Sequence, residues 1–141
     1  MNRRDFLIAS AVALAALPRA LQARVPAVTP ADAWPQFRGT PSLTGLSATT
    51  IAAAPKVAWT WEGGEAFDSS PCIADGVVYV GTATGELIAV NLNDGALRWR
   101  YKAGEAIGES SPAVAGGRVF IGDLDGMMHA VTIADGKRAW T

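Results

Sequence analysis

Cysteine and histidine are nearly absent, since the 141-residue sequence contains one of each, Cys72 and His129. A single cysteine cannot form a disulfide within the chain, and Cys72 is expected to be a small core residue of an apolar strand. With no second histidine, no neighbouring cysteine and no nucleophile motif, His129 is expected to be an ordinary strand residue. These two absences remove the simplest metal and covalent-catalysis sites.

Long apolar runs are also missing. The longest one, residues 6–17, is shorter than the roughly 20 apolar residues that a membrane-spanning helix needs. It follows Arg3 and Arg4 and precedes small residues that end at Ala23, which is the order of a cleavable signal peptide. We therefore predict a signal peptide over residues 1–23, no integral membrane span, and a periplasmic or extracellular mature chain. The arginine pair resembles the twin-arginine export signal, with ordinary secretion as the alternative.

An excess of positive charge is absent as well. From Arg24 onward, nine Lys and Arg residues stand against twelve Asp and Glu residues, a net charge of −3. A chain with this balance has no general electrostatic attraction for nucleic acid or for anionic membranes. We therefore expect neither as a partner.

What the sequence does contain is an internal repeat of 41 residues. Ser69-Ser70-Pro71 aligns with Ser110-Ser111-Pro112, and thirteen of the 32 positions from 69 to 100 are identical to those 41 residues later. Glycines, an Asp-Gly pair and a tryptophan recur at the same places, which indicates a structural period. A partial unit precedes the first full one, because residues 59–66 resemble residues 99–106.

Each unit reads as four short strands separated by turn residues. In the first unit these are residues 69–75, 77–83, 86–92 and 96–102, and Asp75-Gly76, Thr84-Gly85 and Asp94-Gly95 lie between them. Such pairs supply the positive φ angles of tight primed turns. Residues 77–80 are apolar on both faces, as a sheet stacked between two others requires. The sequence thus predicts an all-β propeller of four-stranded antiparallel blades, and it disfavours a flat sandwich, which would not explain the strict period.

The fixed spacing of Ala89, Asp94-Gly95 and Trp99, repeated at Ala130, Asp135-Gly136 and Trp140, resembles the tryptophan docking motif of pyrroloquinoline-quinone (PQQ)-type propellers. That family includes quinoprotein dehydrogenases and non-enzymatic BamB-like proteins, and the resemblance implies that the Trp of one blade packs against the next. Asn91 and Thr132 stand where the motif usually has Asp, and Asp94 and Asp135 stand where it usually has Thr. Residues 34–39 also resemble the opening of exported PQQ-like propellers.

The resulting organisation is a signal peptide (1–23), an N-terminal arm (24–55) and propeller repeats (56–141). The repeats comprise a closing strand (56–62), one blade (69–102) and a second blade (110–141). Because propellers close with about four to eight blades, we expect about two blades of a larger ring, in an N-terminal fragment or truncated gene product that lacks its C-terminal blades. Oligomerisation into a full ring is the alternative.

Several residues are candidates for functional sites, and a structural role is favoured for each. Asp123, Asp125 and Gly126 begin like a calcium loop but lack its later ligands, so a hairpin turn is expected. Glu65, Glu105, Ser70 and Ser111 recur with the repeat, which favours turn and strand-end hydrogen bonds. Gly63-Gly64 and Gly116-Gly117 open no helix and are not expected to bind phosphate. Trp34 and Trp61 alone are too few to indicate a carbohydrate platform.

We thus predict no catalytic, cofactor-binding or metal-binding residue in this stretch. The leading hypothesis is an exported, non-enzymatic propeller that serves as a scaffold or binds a protein or peptide. The alternative, which the resemblance implies, is a fragment of a PQQ- and calcium-dependent quinoprotein dehydrogenase. A sensory or anchoring ectodomain is a third hypothesis.

Overall fold

The structure is a computed structural model that describes residues 33–63 and 65–141. The predicted signal peptide and residues 24–32 of the predicted arm lie outside the described residues. The described part contains eight β-strands, which form two four-stranded antiparallel sheets. Each sheet corresponds to one 41-residue unit.

The first sheet, called blade 1, has its strands side by side in chain order, and the second sheet, blade 2, repeats that order. Blade 1 consists of β1 (Cys72–Ala74), β2 (Val77–Gly81), β3 (Glu86–Asn91) and β4 (Leu97–Lys102). Blade 2 consists of β5 (Ala113–Ala115), β6 (Arg118–Gly122), β7 (Met128–Thr132) and β8 (Arg138–Trp140). The predicted strand order is confirmed, and the register of blade 2 follows that of blade 1 with a shift of 41 residues.

The first strand of each unit is shorter than predicted, beginning at Cys72 rather than at residue 69. Pro71 has no N–H to donate to a neighbouring strand. The Ser69 hydroxyl instead accepts a hydrogen bond from the Gly81 N–H at 3.3 Å, and Ser110 does the same for Gly122 at 3.1 Å. A serine side chain therefore replaces a backbone pair at this position.

The turns divide into two kinds, and the expectation of primed turns holds for only one of them. Asp75-Gly76 and Gly116-Gly117 have positive φ at both residues, between 52° and 74°, as a two-residue primed turn requires. In Thr84-Gly85 and Asp94-Gly95 only the glycine has positive φ. These connections are longer, and a single left-handed glycine is enough to return the chain to the next strand.

The core lies between the two blades. One face of blade 1 contributes Tyr79, Leu87, Ala89 and Trp99, and blade 2 contributes Val119, Ile121 and Val131 to the same buried cluster. Tyr79 and Leu87 are 1% and 0% exposed. Cys72 belongs to this cluster, as predicted, and burial raises the pKa of its thiol to about 12, which keeps the thiol protonated and unreactive.

Residues 56–62, predicted as a closing strand, form no strand among the described residues. They run along the face of blade 1 that is turned away from blade 2, where Trp59, Trp61 and Phe67 line an apolar cavity of about 420 Å³ with Val78 and Val80. The segment therefore covers this face with side chains and not through a backbone ladder. Its role in closing a ring remains a prediction.

Candidate functional site at the junction of the blades

Three polar side chains meet where the blades join. The Tyr101 hydroxyl, on β4, lies 2.9 Å from Nδ1 of His129, on β7. On the other side of the ring, His129 Nε2 lies 2.9 Å from Oδ2 of Asp123, and Asp123 Oδ1 accepts the Met127 N–H at 2.8 Å. The His129 and Asp123 side chains are 6% and 3% exposed. We call these three residues the junction network.

The electrostatics of the junction network support a positioning role. The hydrogen bond from His129, aided by the one from Met127, lowers the pKa of Asp123, so this carboxylate is held ionised. Burial raises the pKa of Tyr101, so its phenol remains protonated and is not an activated nucleophile. With Nε2–H donating to Asp123, Nδ1 is left to accept the Tyr101 hydroxyl. The arrangement links the outer strand of one blade to a hairpin of the next.

The sequence predicts an ordinary strand residue at His129, and the structure corrects this by placing His129 in a polar network. A signal for it was nevertheless present in the repeat. At the corresponding positions the preceding unit has Thr82 instead of Asp123 and Ile88 instead of His129, and Trp61 echoes Tyr101. Three coordinated departures from the repeat at one junction distinguish a polar network from a chance substitution.

The hairpin reading of Asp125-Gly126 is confirmed, because the two residues lie in the turn between β6 and β7. Thr82 plays the same turn-closing part in blade 1, since its hydroxyl accepts the Glu86 N–H at 3.0 Å just as Asp123 accepts that of Met127. Across the described residues, no group of three or more His, Cys, Asp and Glu side chains is placed to hold a metal ion. Asp123, the acidic residue that begins this turn, is thus engaged in hydrogen bonds of the fold.

The repeated serines are engaged in the same way. The Ser111 hydroxyl accepts the Ser70 N–H at 3.2 Å and so joins the two blades. Glu65 accepts a hydrogen bond from the Thr84 hydroxyl, and Glu105 is exposed on the connection to blade 2. In the described part of the chain, every buried side-chain nitrogen or oxygen atom has a hydrogen-bond partner.

A second candidate region lies at the inner edges of the blades, where β1 and β5 each have one side without a neighbouring strand of their own sheet. The arm crosses both edges. Trp34 exchanges two backbone hydrogen bonds with Ile73, at 2.7 and 2.8 Å, and the Pro35 carbonyl accepts the Val114 N–H at 2.7 Å. A groove of about 580 Å³, largely apolar, runs between this part of the arm and β1. We call it the inner-edge groove.

Two of the tryptophans that recur with the repeat, Trp59 and Trp99, pack at equivalent positions on the blades. Trp59 donates its indole N–H to the Leu92 carbonyl at 2.7 Å, and Trp99 donates to the Ile133 carbonyl at 3.0 Å. Each ring covers the glycine of the adjacent Asp-Gly turn so closely that a Cβ on Gly95 or Gly136 would lie 2.7 Å from it. A tryptophan from before each blade therefore packs on that blade's last turn.

Comparison with known families agrees with this architecture. The family model described as "Outer membrane protein assembly factor BamB" matches residues 31–141. The chain belongs to this BamB-like family of PQQ-type repeats. Among curated protein sequences, none is similar enough to serve as a relative.

Solved structures of BamB-like and related propellers show the same fold. BamB from Moraxella catarrhalis is 26% identical with a TM-score of 0.52, and the match covers 59% of this chain and 26% of that one. Quinohemoprotein alcohol dehydrogenases from Pseudomonas putida HK5 and Comamonas testosteroni are 23% and 20% identical, with TM-scores of 0.65 and 0.66. This chain spans only 19% of each dehydrogenase. At that identity the dehydrogenases show the fold alone, and the predicted β-propeller class is confirmed.

Proposed function

We propose that the mature chain acts outside the cytoplasm as part of a non-enzymatic propeller that binds a protein or peptide. The leader-like residues 1–23 support export. Membership of a family described as an outer membrane assembly factor supports a role in protein association. No helix in the described residues is long and apolar enough to cross a membrane.

The pairing of the arm with the inner edges is the observation that carries this proposal. An extended segment adds to a strand edge through backbone hydrogen bonds, which give affinity with little dependence on side-chain identity. Trp34 already binds β1 in this way, and Pro35 reaches across to β5. Because Trp34 takes up both the N–H and the carbonyl of Ile73, a partner segment would add to the edge of β5, next to Pro35, and not to β1.

The outer edges of the blades are less suited to such binding. β4 carries Arg98, Arg100 and Lys102, and charged residues on an edge strand discourage pairing with other chains. Arg100 forms a 2.9 Å ion pair with Glu86, and Lys102 donates to the Thr84 carbonyl at 2.7 Å. The contrast between the two edges directs a partner to the inner one.

The inner-edge groove suggests the side chains that a partner would present. Its lining includes Trp34, Phe37 and Ile73, so an apolar side chain would be buried there. Next to it, a second cavity of about 470 Å³ is lined by Phe37 and by the acidic side chains of Asp68 and Glu109. A strand segment with an apolar residue followed by a basic one would complement both.

A binding experiment with a defined probe tests the proposal. The probe is a fluorescein-labelled eight-residue peptide of alternating apolar and polar residues with one Lys near its end. We expect a saturable rise in anisotropy with the full mature chain. N-methylation of alternate backbone nitrogens should abolish binding because it removes the donors that pair with a strand edge.

A variant pair locates the binding. Ser70 lines both cavities, so Ser70→Trp should block the probe, whereas Ser42→Trp, on the exposed turn of the arm, should not. Equal binding of the N-methylated peptide, or equal binding by both variants, would refute the proposed site.

The dehydrogenase alternative has a different readout. Purified full-length protein incubated with PQQ and calcium should show neither retained quinone absorbance nor dye-linked alcohol oxidation if the binding role is right. Stoichiometric quinone retention together with alcohol oxidation would replace the proposal with the dehydrogenase assignment.

A further inference from the structure

The arm forms a turn over residues 34–45, which we call the arm turn, and most of its hydrogen bonds within the described residues are internal. The Gly39 N–H donates to the Gln36 carbonyl at 2.9 Å, and the Gln36 side chain donates to the Thr40 carbonyl at 2.7 Å. The Trp34 ring lies on Gly39, where a Cβ would come within 2.9 Å of it. Trp34 therefore belongs to the turn through its ring and to the edge of β1 through its backbone.

The attachment of the arm turn to the blades is slight. In the described part of the chain it consists of three backbone hydrogen bonds, two between Trp34 and Ile73 and one from the Val114 N–H to the Pro35 carbonyl. Pro35 has no N–H, so it cannot return a bond to Val114. Beside these bonds the inner-edge groove of about 580 Å³ is unfilled. A segment with so few contacts opens at a much lower free energy than a packed strand.

The chain that follows the arm turn leaves it free to move. Residues 46–58, thirteen in number, are exposed and form no strand, and Trp59 is the next residue held on a blade. Thirteen residues span roughly 40 Å when extended, so the turn can leave the edge of β1 while Trp59 stays in place. Release therefore breaks no strand pairing within the blades.

The backbone of the arm turn is strained while it is docked. Arg38 and Leu43 have φ angles of 58° and 53°, a left-handed conformation that a branched residue such as leucine rarely adopts. Backbone of this kind persists only where surrounding contacts hold it, and it is concentrated in clamps and switch regions. A turn that has left the edge can relax at both residues, which favours release.

We propose that the arm turn is a releasable strap, which closes the edge of β1 in the free chain and is displaced from Ile73 by the partner segment. The proposal rests on the peptide-binding function. With the strap in place a partner reaches only the edge of β5, but once the strap lifts, Ile73 and Val114 can both pair with the incoming segment. In the absence of a partner, the strap keeps a strand edge from pairing with other chains.

Hydrogen exchange measured by NMR on the full mature chain tests release without a peptide. The Ile73 N–H donates to the Trp34 carbonyl at 2.8 Å, so its exchange requires the strap to open. We expect it to exchange at least about tenfold faster than the amide of Ile88, which lies on a strand paired on both sides. Gly39→Ala, which pushes a Cβ against the Trp34 ring, should speed the exchange of Ile73 about tenfold further and leave that of Ile88 unchanged.

The matched control for Gly39→Ala is Gly126→Ala. Gly39 and Gly126 have φ angles of 80° and 82°, but a Cβ on Gly126 would meet nothing within 4 Å. Both variants therefore carry the same left-handed strain, and only one disturbs the strap. Gly126→Ala should leave the ratio of the Ile73 and Ile88 exchange rates unchanged.

Binding of the fluorescein-labelled peptide tests displacement. Gly39→Ala should bind it about tenfold more tightly than the wild type, because a closed strap reduces the apparent affinity, and Gly126→Ala should bind like the wild type. Leu43→Asn, which suits the left-handed conformation, should weaken binding about threefold. With the peptide bound, the Trp34 amide should exchange faster while the Ile73 amide, now paired with the peptide, stays protected.

Ile73 exchange as slow as that of Ile88 in both the wild type and Gly39→Ala would overturn the strap, whether or not the peptide binds. Equal affinities of these two proteins, with the Trp34 amide still protected in the complex, would also overturn it and confine binding to the edge of β5. Failure of every variant to bind the peptide would instead refute the peptide-binding function, and displacement with it. If circular dichroism shows that Gly39→Ala is unfolded, the wild-type exchange rates and Leu43→Asn decide.

Discussion

Blade 1 and blade 2 have the same strand register, yet they differ in what surrounds them. Leu87 is 0% exposed and its counterpart Met128 is 51% exposed, and Trp99 and Trp140 differ in the same way. The backbone pairing is the same in both cases. A blade's own strands thus determine its shape, and its neighbours determine which of its apolar residues stabilise the fold.

The blades also differ in the polarity of their second hairpin. Blade 1 has Thr82 and Ile88 where blade 2 has Asp123 and His129, and only blade 2 uses this hairpin for polar contacts with Tyr101 of its neighbour. The repeat accounts for the scaffold, and departures from the repeat mark what is particular to one junction. Substitutions at paired positions can test both statements.

The largest difference is expected at the core. Leu87→Ala should lower the free energy of unfolding by about 2–5 kcal/mol, because it leaves a cavity in a fully buried cluster. Met128→Ala, 41 residues later on the face of blade 2 that is turned away from blade 1, should change it by no more than about 0.5 kcal/mol. Urea unfolding followed by circular dichroism measures both at low protein concentration. Equal effects would mean that Met128 is as fully buried in solution as Leu87.

The next difference is between a turn on which a tryptophan packs and a turn that is open to solvent. Gly76 and Gly95 both have φ near 70°, but a Cβ on Gly76 would meet nothing within 4 Å whereas one on Gly95 would lie 2.7 Å from the Trp59 ring. Gly76→Ala should lower the free energy of unfolding by about 1–2 kcal/mol, because a residue with a Cβ is strained in the left-handed conformation. Gly95→Ala should cost more and should also shift tryptophan fluorescence. Equal losses of stability for the two variants, without a fluorescence change, would show that Trp59 does not pack on Gly95 in solution.

A smaller effect is expected at the junction network. Tyr101→Phe removes only the hydroxyl that contacts His129 and should cost about 0.5–1.5 kcal/mol, the net contribution of one hydrogen bond. Tyr79→Phe is the matched control, since Tyr79 packs against Trp99 with ring centroids 5.7 Å apart and keeps that packing without its hydroxyl. Identical unfolding midpoints for the two variants would show that the hydrogen bond between Tyr101 and His129 does not stabilise the fold.

Much of the fold could be predicted because the repeat constrains it. The glycines at 76, 85 and 95 mark the turns, and the 41-residue shift transfers every strand of blade 1 to blade 2. The start of β1 and the two kinds of turn could not be read in the same way. The start of β1 depends on whether a serine hydroxyl or a backbone group accepts the Gly81 N–H, and the kind of turn depends on how many of its residues have positive φ. Composition determines neither.

The candidate sites were less predictable for a physical reason. Tyr101 and His129 are 28 residues apart, and only the stacking of the blades brings them together. The pairing of Trp34 with Ile73 likewise depends on the path of the arm across two sheets. Such contacts leave no local periodicity in the sequence, although departures from a repeat can point to them.

The smallest effect should appear as a difference in pH dependence between Asp123 and its neutral isostere. Because the hydrogen bonds of the folded state lower the pKa of Asp123 below its ordinary value of 3.8, this carboxylate stabilises the fold above that value. Its contribution is lost as the pH falls from there through the folded-state pKa. We therefore expect the urea midpoints of the wild type and Asp123→Asn to converge as the pH falls from 6 toward 3. In the His129→Ile background, the pH-dependent part of the difference should shrink, because the main cause of the lowered pKa is gone. Convergence of the same size in both backgrounds would mean that the Met127 N–H, and not His129, lowers the pKa of Asp123. Asp123 would then do no more than Thr82 does in blade 1, which is to accept one hydrogen bond within its turn.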